Sequence, residues 1–436
     1  MNDIWPTRRL RDIADIRVSN VDKKSHTAET PVRLCNYMDV YANDYITNET
    51  DFMQASASPA EIERFSLQRG DVIITKDSET PDDIGVPAVV SDEIENLVCG
   101  YHWCLIRPNN GDLNSVYLAK QLTTSKFAGY FAIHASGSTR FGLPIGAIEN
   151  IDLPFPPKPE QTKIAEILST VDQAIEQTEA LIAKQQRIKT GLMQDLLTRG
   201  IDENGNLRSE ETHEFKDSPL GRIPVEWDLS ELAYAFAEVP RNGIYKPPNQ
   251  IGSGTLLIGQ TSFTKERRID YRFARRTIVS PSELKAYQLR NHDILVTRVF
   301  ATVDGVGLPI LVTDLPEAAV YESNMLRLRV DSAKFNPTLL FHWLRSSAIR
   351  KRVTASVNAS NQTSINQTVL NALPALVIPS DEQDNIVAAI SAQETYLNDL
   401  ARNLEKLRSL KTALMQDLLT GKVSVAPLLT EEERGE

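Results

Sequence analysis

The segment Lys189-Thr-Gly-Leu-Met-Gln-Asp-Leu-Leu-Thr198 near the middle of the chain returns near its end as Lys411-Thr-Ala-Leu-Met-Gln-Asp-Leu-Leu-Thr420. The difference in residue number, 411 − 189 = 222, is the repeat offset, and without a gap it also superposes Trp5 on Trp227. Internal repetition is decisive for fold prediction, because a tandem fold has its own geometry. The repeat is long enough for a domain with an appended segment, so the 436-residue chain is predicted to contain that structure twice.

Each copy of the quoted segment closes a long helical pattern. Residues 160–198 contain no proline and a single glycine, proline-containing segments precede both patterns, and Gly200 and Gly421 follow them. Proline upstream and glycine downstream are typical of helix boundaries. Apolar residues recur every three or four positions and form a narrow seam, as a two-helix coiled coil requires. The seam residues are Ile164, Leu168, Val171, Ile175, Ile182 and Leu192 in the first helix and Leu397, Leu400, Leu404, Leu407 and Leu414 in the second.

Charge is polarised along each predicted helix. Acidic residues, including Asp172, precede basic ones, including Lys189, in the first helix, and Glu394 likewise precedes Lys411 in the second. Two helices with the same gradient attract each other when antiparallel and repel when parallel. The sequence therefore predicts an antiparallel coiled coil, each helix about 58 Å long at 1.5 Å per residue. The alternative is that each helix packs only on its own domain.

The remainder of the chain predicts an α+β fold with two mixed α and β domains related by approximate two-fold symmetry. Short β-rich runs such as Asp71–Thr75 and Asp293–Thr297 accompany helical patterns at residues 114–132 and 336–353. A polar segment between the repeats has the composition of a linker. The predicted boundaries are 1–158 for the first domain, 159–199 for the central helix, 200–222 for the linker, 223–380 for the second domain, 381–421 for the C-terminal helix and 422–436 for an acidic tail.

Composition limits the class of protein. The net charge of −11 argues against coating nucleic acid by bulk attraction but permits binding through local basic patches, since only charge facing the phosphates sets the salt-dependent affinity. Cys35, Cys99 and Cys104 have no disulfide or zinc spacing and are expected to be buried apolar residues. No apolar run approaches the roughly 18 residues that span a bilayer, and the N-terminus lacks the order of a secretion signal, so a cytoplasmic location is expected.

Motifs for catalysis are missing from the sequence. An adenine methyltransferase needs Asn or Asp followed by Pro-Pro and an aromatic residue at the flipped base, whereas this chain has only Phe155-Pro-Pro-Lys158 and Lys246-Pro-Pro-Asn249. There is no phosphate-binding loop and no His-Glu-x-x-His, and the six histidines do not cluster at metal-ligand spacing. We therefore expect a chain that binds and positions, without a metal or cofactor of its own.

The whole chain resembles the specificity subunit of type I restriction-modification systems. The most specific matches are Pro156-Pro-Lys-Pro-Glu-Gln161 followed by Ile164-Ala-Glu-Ile-Leu168, and the exit motif quoted above, present in both copies. The domain openings at Trp5 and at Ile223-Pro-Val-Glu-Trp227 also match. The second helix entrance departs from the pattern, since it reads Ile378-Pro-Ser-Asp-Glu-Gln383 without a proline cluster.

The resemblance implies a non-catalytic reader of double-stranded DNA. Each domain would be a target-recognition domain for one half of a bipartite target, and the paired helices would fix the spacer and dock two modification (methyltransferase) subunits. Those partners would carry S-adenosylmethionine, and a restriction subunit could join them for translocation and cleavage. No membrane partner is implied. The rod length would hold the half-sites less than two turns of B-DNA apart, at about 34 to 36 Å per turn.

Candidate DNA contacts combine cations with aromatic or amide side chains. The densest basic cluster, residues 265–276, has six cations, two acids and two aromatics; the alternative for it is a solvated hairpin face. Lys76 falls on Arg298 under the repeat offset, so a cation recurs at the end of the same strand. The candidates are Tyr37, Asn43, Lys76 and Arg140 in the first domain and Lys265, Arg267, Arg268, Arg272, Arg275, Arg276 and Arg298 in the second.

A second class of function fits the same architecture. Two domains on a coiled-coil spacer could form a non-enzymatic tether that binds proteins. Affinity for DNA that falls steeply with salt would distinguish the DNA reader from such a tether, because contacts to phosphates release counterions.

Overall fold

The computed structural model describes residues 5–109, 111–264, 267–357 and 363–431. The chain forms two units, the first made of residues 1–180 and 401–436 and the second of residues 181–400. Both mix helices with small sheets, so the fold class is α+β. Within the described residues, none of the helices is long and apolar enough to cross a membrane.

The first unit is built around a five-stranded sheet and a three-stranded sheet. Its strands are β1 (Thr7–Arg9), β2 (Ala14–Val18), β3 (Thr30–Cys35), β4 (Tyr45–Ile46), β5 (Met53–Ala57), β6 (Val72–Thr75), β7 (Asp77–Ser78), β8 (Pro87–Val90), β9 (Leu97–Cys99), β10 (Trp103–Pro108), β11 (Phe141–Gly142) and β12 (Asp152–Pro154). Its helices are α1 (Leu10–Ile13), α2 (Tyr37–Tyr41), α3 (Pro59–Phe65), α4 (Ser115–Leu122), α5 (Ser125–His134) and α6 (Ile145–Glu149). The strand orders are β2-β10-β6-β8-β4 and β5-β3-β9, with the pairs β1-β12 and β7-β11 beside them.

The long helix α7 (Lys158–Leu196) leads into the second unit. The strands there are β13 (Phe215–Ser218), β14 (Gly221–Pro224), β15 (Asp228–Glu231), β16 (Arg241–Asn242), β17 (Ile251–Ile258), β18 (Arg275–Thr277), β19 (Ile294–Thr297), β20 (Val299–Phe300), β21 (Pro309–Leu311), β22 (Ala319–Tyr321), β23 (Met325–Leu328), β24 (Thr363–Ser364) and β25 (Pro374–Val377). The helices are α8 (Pro281–Tyr287), α9 (Pro337–Arg345), α10 (Ser347–Ser356), α11 (Gln367–Asn371) and the second long helix, α12 (Ser380–Leu418). The strand orders are β16-β23-β19-β21 and β18-β17-β22, with the pairs β13-β14, β15-β25 and β20-β24.

The repeat offset recurs in three dimensions. Helices α7 and α12 each have 39 residues, and their bounds differ by that offset at both ends. Near its start, each helix carries a buried glutamine that bonds the backbone of its own domain. Gln161 Oε1 accepts from Asn114 N at 2.9 Å, and Gln383 Oε1 accepts from Asn336 N at 2.6 Å. The two repeats thus share the scaffold that connects each domain to its long helix.

The helical pattern at residues 114–132 is two helices, α4 and α5, where the sequence predicted one. Thr124 has an extended backbone and interrupts the helix, and in the second unit Ser346 does the same between α9 and α10. The Ser346 hydroxyl accepts a hydrogen bond from Ile349 N. Serine and threonine favour such N-terminal positions because their hydroxyls compete for backbone groups.

The predicted linker, residues 200–222, is folded onto the second unit. Its β13-β14 hairpin is accompanied by buried Ile201, and the guanidinium of Arg208 bonds the buried carboxylate of Glu382. Trp227 Nε1 donates to the same carboxylate at 3.0 Å. At Gly200 (φ +64°), a Cβ would come within 2.1 Å of a Glu382 oxygen. The polar composition predicted a linker, but a few buried residues are enough to hold a segment on a domain while its other side chains face water.

Helices α7 and α12 contact each other within each unit. In the first unit, Asp172 Oδ1 lies 2.6 Å from Lys411 Nζ and Glu179 lies 2.7 Å from Arg408. In the second, Lys189 Nζ lies 2.7 Å from Glu394. All three pairs join the acidic part of one helix to the basic part of the other, as the charge gradients predicted.

Two clusters of ionisable side chains, each with one deeply buried member, attach the domains to these helices, and sequence analysis did not identify them as clusters. In the first ionic cluster, Lys120 Nζ lies 2.8 Å from Asp44 and 2.7 Å from Asp172, which also pairs with Lys411. Lys120 is only 3% exposed. Because buried Lys120 faces two carboxylates, the cluster avoids the cost of an unpaired buried charge.

The second ionic cluster occupies the equivalent positions of the other repeat. Under the repeat offset, Lys189 and Glu394 correspond to Lys411 and Asp172, and His342 takes the position of Lys120. His342 is 2% exposed. Burial, together with the nearby charges of Arg345 and Lys189, lowers its pKa despite the attraction of Glu394. The acid and the helix lysine are thus common to both clusters, while the third member differs.

Candidate nucleic-acid interface

The cation at the end of β6 has a counterpart at the end of β19, in an equivalent backbone frame. Lys76 N donates to His102 O at 2.9 Å, and Lys76 O accepts from Leu143 N at 2.8 Å. In the second unit, Arg298 N donates to Asn324 O at 2.8 Å, and Arg298 O accepts from Ile365 N at 2.9 Å. Every partner is displaced by the repeat offset. Strands β7 and β11 form a ribbon beside Lys76, the first ribbon, and β20 and β24 form the second ribbon beside Arg298.

The side chains of the two cations have different surroundings. Lys76 Nζ bonds Asp77 Oδ1 at 2.9 Å, and Arg298 Nε donates to the carbonyl of Ser323 at 3.3 Å. Neither cation is fully exposed. The structure thus holds both at the edge of a ribbon, where each keeps hydrogen-bond donors for a ligand.

At the first ribbon, hydrogen bonds connect Asp77, His102 and Arg140. His102, in the left-handed region (φ +77°), places Nδ1 2.7 Å from Asp77 Oδ2 and Nε2 3.5 Å from an Nη atom of Arg140. Burial alone would raise the pKa of Asp77, but hydrogen bonds from Lys76 and His102 lower it below its usual value. Asp77 is therefore an ionised acceptor at neutral pH, and His102 Nδ1 donates to it.

Aromatic side chains flank this chain of hydrogen bonds. Tyr37 stacks on Tyr41, with ring centroids 5.3 Å apart, and on Trp103 at 5.5 Å. Tyr101 packs on the His102 ring at 3.6 Å. The predicted candidate Asn43 is exposed just beyond α2, and its amide donates to Asp39 O. Lys76, Arg140 and Tyr37 thus lie in one region of the first unit, which contains polar, charged and aromatic groups together.

The basic cluster of the second unit does not present six free cations. Lys265 lies outside the residues that the structure describes. Among the others, three arginines are paired with acidic residues and Arg268 is exposed. The pairs are Arg272 with Asp270, Arg275 with Glu322 and Arg276 with Glu317. Two of these acids come from segments more than forty residues away, so the local sequence overstated the positive charge.

Arg267 points into the second unit. It donates to Thr297 Oγ1 at 3.2 Å and to Leu308 O at 3.1 Å. Burial, with repulsion from Arg345 and Arg350, lowers its pKa to about 10. A guanidinium engaged by two protein acceptors has fewer donors left for DNA, so its position favours packing within the domain over contact with phosphate.

The predicted seam residues divide into two groups. Ile164 and Leu168 are fully buried in the core of the first unit, which also contains Leu418 and Leu419, and Val171 and Leu404 are buried as well. The remaining seam residues are half-buried along the two helices: Ile175, Ile182, Leu192, Leu397, Leu400, Leu407 and Leu414. The start of α7 therefore packs on the core of the first unit, and Leu192 and Leu414, near the ends of the two long helices, pack against the cores of the second and the first unit.

In the described part of the chain, no three or more His, Cys, Asp or Glu side chains are grouped to hold a metal ion. The three cysteines are buried free thiols, as expected from their spacing, and burial raises the pKa of Cys104 to about 12.

The sequence is similar to the specificity subunits of type I restriction enzymes. A family model described as "Type I restriction modification DNA specificity domain" matches residues 2–185. The chain is 22% identical over 434 residues to the putative type I restriction enzyme MjaX specificity subunit of Methanocaldococcus jannaschii, covering 97% of this chain and 94% of that one.

Two solved structures have a similar fold. The crystal structure of a type I restriction-modification system S subunit from M. genitalium matches with a TM-score of 0.56 and 13% identity, covering 96% of each chain. A structure from work on complex assembly and conformational transition of the type I R-M system matches with a TM-score of 0.57 and 16% identity, covering 96% of this chain and 98% of that one.

Proposed function

Because the chain belongs to the family of type I restriction-modification specificity subunits, we propose that each of its two domains reads one half of a bipartite DNA target. The observation that carries the proposal is that the two repeats share the contacts of the scaffold but differ in the side chains at their ribbons. Gln161 and Gln383 bond equivalent backbone groups in the two repeats. At the ribbons, Asp77 and His102 correspond instead to Val299 and Asn324. A backbone frame that is common to both domains, with different side chains at the ribbons, suits two domains that recognise different half-sites.

The paired long helices are the spacer in this proposal. They form an antiparallel coiled coil, supported by the pairs Asp172–Lys411 and Lys189–Glu394. In this proposal the half-sites are arranged like those of a palindrome without sharing a sequence. The coiled coil also offers the docking surface for two modification subunits.

The chain supplies recognition, and its partners supply catalysis. S-adenosylmethionine binds the modification subunits, which methylate adenine, and a restriction subunit adds translocation and cleavage. The proposed place of action is the cytoplasm. The proposed DNA contacts are those of the sequence prediction except Arg267, whose guanidinium is engaged within the domain. Lys76, Arg140 and Arg298 at the ribbons have the strongest support. The protein-binding tether is not favoured, because the matched relatives are specificity subunits.

The test is reconstitution with the modification subunits. We expect the complex to methylate a bipartite motif and its affinity for that duplex to fall steeply with salt, as phosphate contacts require. The purified chain without partners should methylate nothing. Methylation by the chain alone, or a complex whose motif is a single uninterrupted half-site, would contradict the proposal.

A further inference from the structure

The residues at the first ribbon differ from their counterparts in the second, although the supporting ion pairs are identical. Arg107 donates to Asp71 through two nitrogens, both at 2.7 Å, and Arg329 donates to Asp293 at 2.9 and 2.8 Å. These pairs are related by the repeat offset and brace the same strands. Because the scaffold is retained while the ribbon side chains change, the ribbon residues are the ones free to determine what each domain recognises.

Arg140 is presented by a closed loop. Ser136 N donates to Gly142 O at 3.0 Å, and Gly142 N donates back to Ser136 O at 2.9 Å. The loop is tight at Gly137, where a Cβ would come within 2.0 Å of the Arg140 carbonyl oxygen. Arg140 is exposed near the tip. The loop thus fixes the backbone of an arginine whose side chain extends into solvent.

His102 and Asp77 orient that side chain. With Nδ1 facing Asp77 at 2.7 Å, the other ring nitrogen of His102, Nε2, faces the Arg140 guanidinium at 3.5 Å. The ring is itself held by Tyr101 and by the left-handed backbone of His102. A guanidinium has five N–H donors, so this contact leaves most of them for a ligand while reducing the entropy lost on binding.

The chemistry favours a base edge over a phosphate. The Asp77 carboxylate is engaged by Lys76 at 2.9 Å and by His102 at 2.7 Å, so it serves to position His102 and leaves the Arg140 guanidinium as the group that meets a ligand. Guanine presents two acceptors, O6 and N7, in the major groove, and a fixed guanidinium matches both. Resting on the proposed DNA-recognition function, we propose that Arg140 reads a guanine in the half-site of the first unit, with His102 and Asp77 as its positioning residues.

The experiment measures base preference position by position. Reconstituted complexes of the full chain with its modification subunits methylate a library in which both half-sites are randomised, and sequencing gives the preference at each position. Arg140→Ala should reduce the preference for guanine about 10- to 100-fold at one position of one half-site. His102→Asn, which tolerates the left-handed backbone and installs the residue found at position 324, should weaken preference at that same position by a smaller factor.

Arg11→Ala removes an exposed arginine of the first unit that is far along the chain from the ribbon and serves as the matched control. It should leave every preference unchanged. An Arg140→Ala complex with an unaltered motif, or with equal losses at all positions, would overturn the proposal, since the latter indicates a phosphate contact or a structural role. If the wild-type complex shows no bipartite motif, both the proposed function and this inference fail; if it does, the Arg140 result tests the inference alone.

Discussion

Asp172 and Lys411 form an ion pair, Oδ1 to Nζ at 2.6 Å, and their counterparts in the other repeat, Glu394 and Lys189, form another at 2.7 Å. The same contact between α7 and α12 therefore occurs in each unit. Each pair is also next to a buried side chain from its own domain, Lys120 or His342. The two pairs fix the register of the helices against each other and against the domains.

The first ionic cluster should be costly to disrupt. Asp172→Asn leaves Lys120 buried with Asp44 as its remaining ion-pair partner among the described residues, and removing one member of a buried ion pair typically costs about 3–5 kcal/mol. We expect a loss at the lower end of that range, because Asp44 is half-exposed. Urea unfolding measures it. Glu405→Gln, at an exposed pair with Arg408, is the control and should change stability by less than about 0.5 kcal/mol; equal effects of both variants would contradict this account.

The second ionic cluster should make the free energy of unfolding decrease as the pH falls. The folded-state pKa of His342 is below its ordinary value of 6.5 through burial, so the unfolded chain binds a proton more readily. Its contribution to stability is present above pH 6.5 and is lost as the pH falls below that value, at a slope of at most about 1.4 kcal/mol per pH unit. His342→Gln should flatten the profile of urea midpoint against pH in that window. A slope equal to wild type would show that other groups dominate.

Arg298 should act on the half-site of the second unit. Arg298→Ala is expected to weaken binding of the reconstituted complex by about 1 to 3 kcal/mol and to relax base choice at one position. Titration of a labelled duplex gives the affinity, and the randomised library gives the position. Unchanged affinity would remove Arg298 from the proposed interface.

Spacer length should follow helix length. Four residues inserted in α7 after Ala180, matched by four in α12 after Leu400, would add about 6 Å to each helix while leaving both ion pairs in register. The preferred spacer should grow by about two base pairs, at about 3.4 Å each, with both half-sites retained. The motif methylated by a complex that contains the lengthened chain gives the spacer length. If the insertion changed the bases of a half-site and left the spacer unchanged, the hypothesis that helix length sets the spacer would be wrong.

The long helices and their charged contacts were predictable because helix period, charge gradient and repetition are encoded locally. The pairing of Asp172 with Lys411 follows the gradient, and α7 begins one residue before and ends three residues before the limits predicted for the central helix, 159–199. The ionic clusters were missed because Lys120 lies within an ordinary helical pattern. Aligning the repeats could have revealed it, since Lys120 and His342 occupy one position.

The basic cluster shows what local sequence could not supply. Six cations within twelve residues indicated a positive face, but Glu317 and Glu322 approach from far along the chain to pair with Arg276 and Arg275. Net charge at a surface depends on tertiary contacts, which neither composition nor spacing reveals. The ribbon chain of Asp77, His102 and Arg140 is equally non-local, because its members come from three separate segments.

In the closed loop from Ser136 to Gly142, the backbone hydrogen bonds that hold the loop do not depend on the side chains at its tip. Its two reciprocal backbone hydrogen bonds would survive a change of side chains at Ser138, Thr139 and Arg140, none of which enters the core. Under the proposed DNA-recognition function, substitutions at these three positions therefore change the base preference of the first domain without changing its fold.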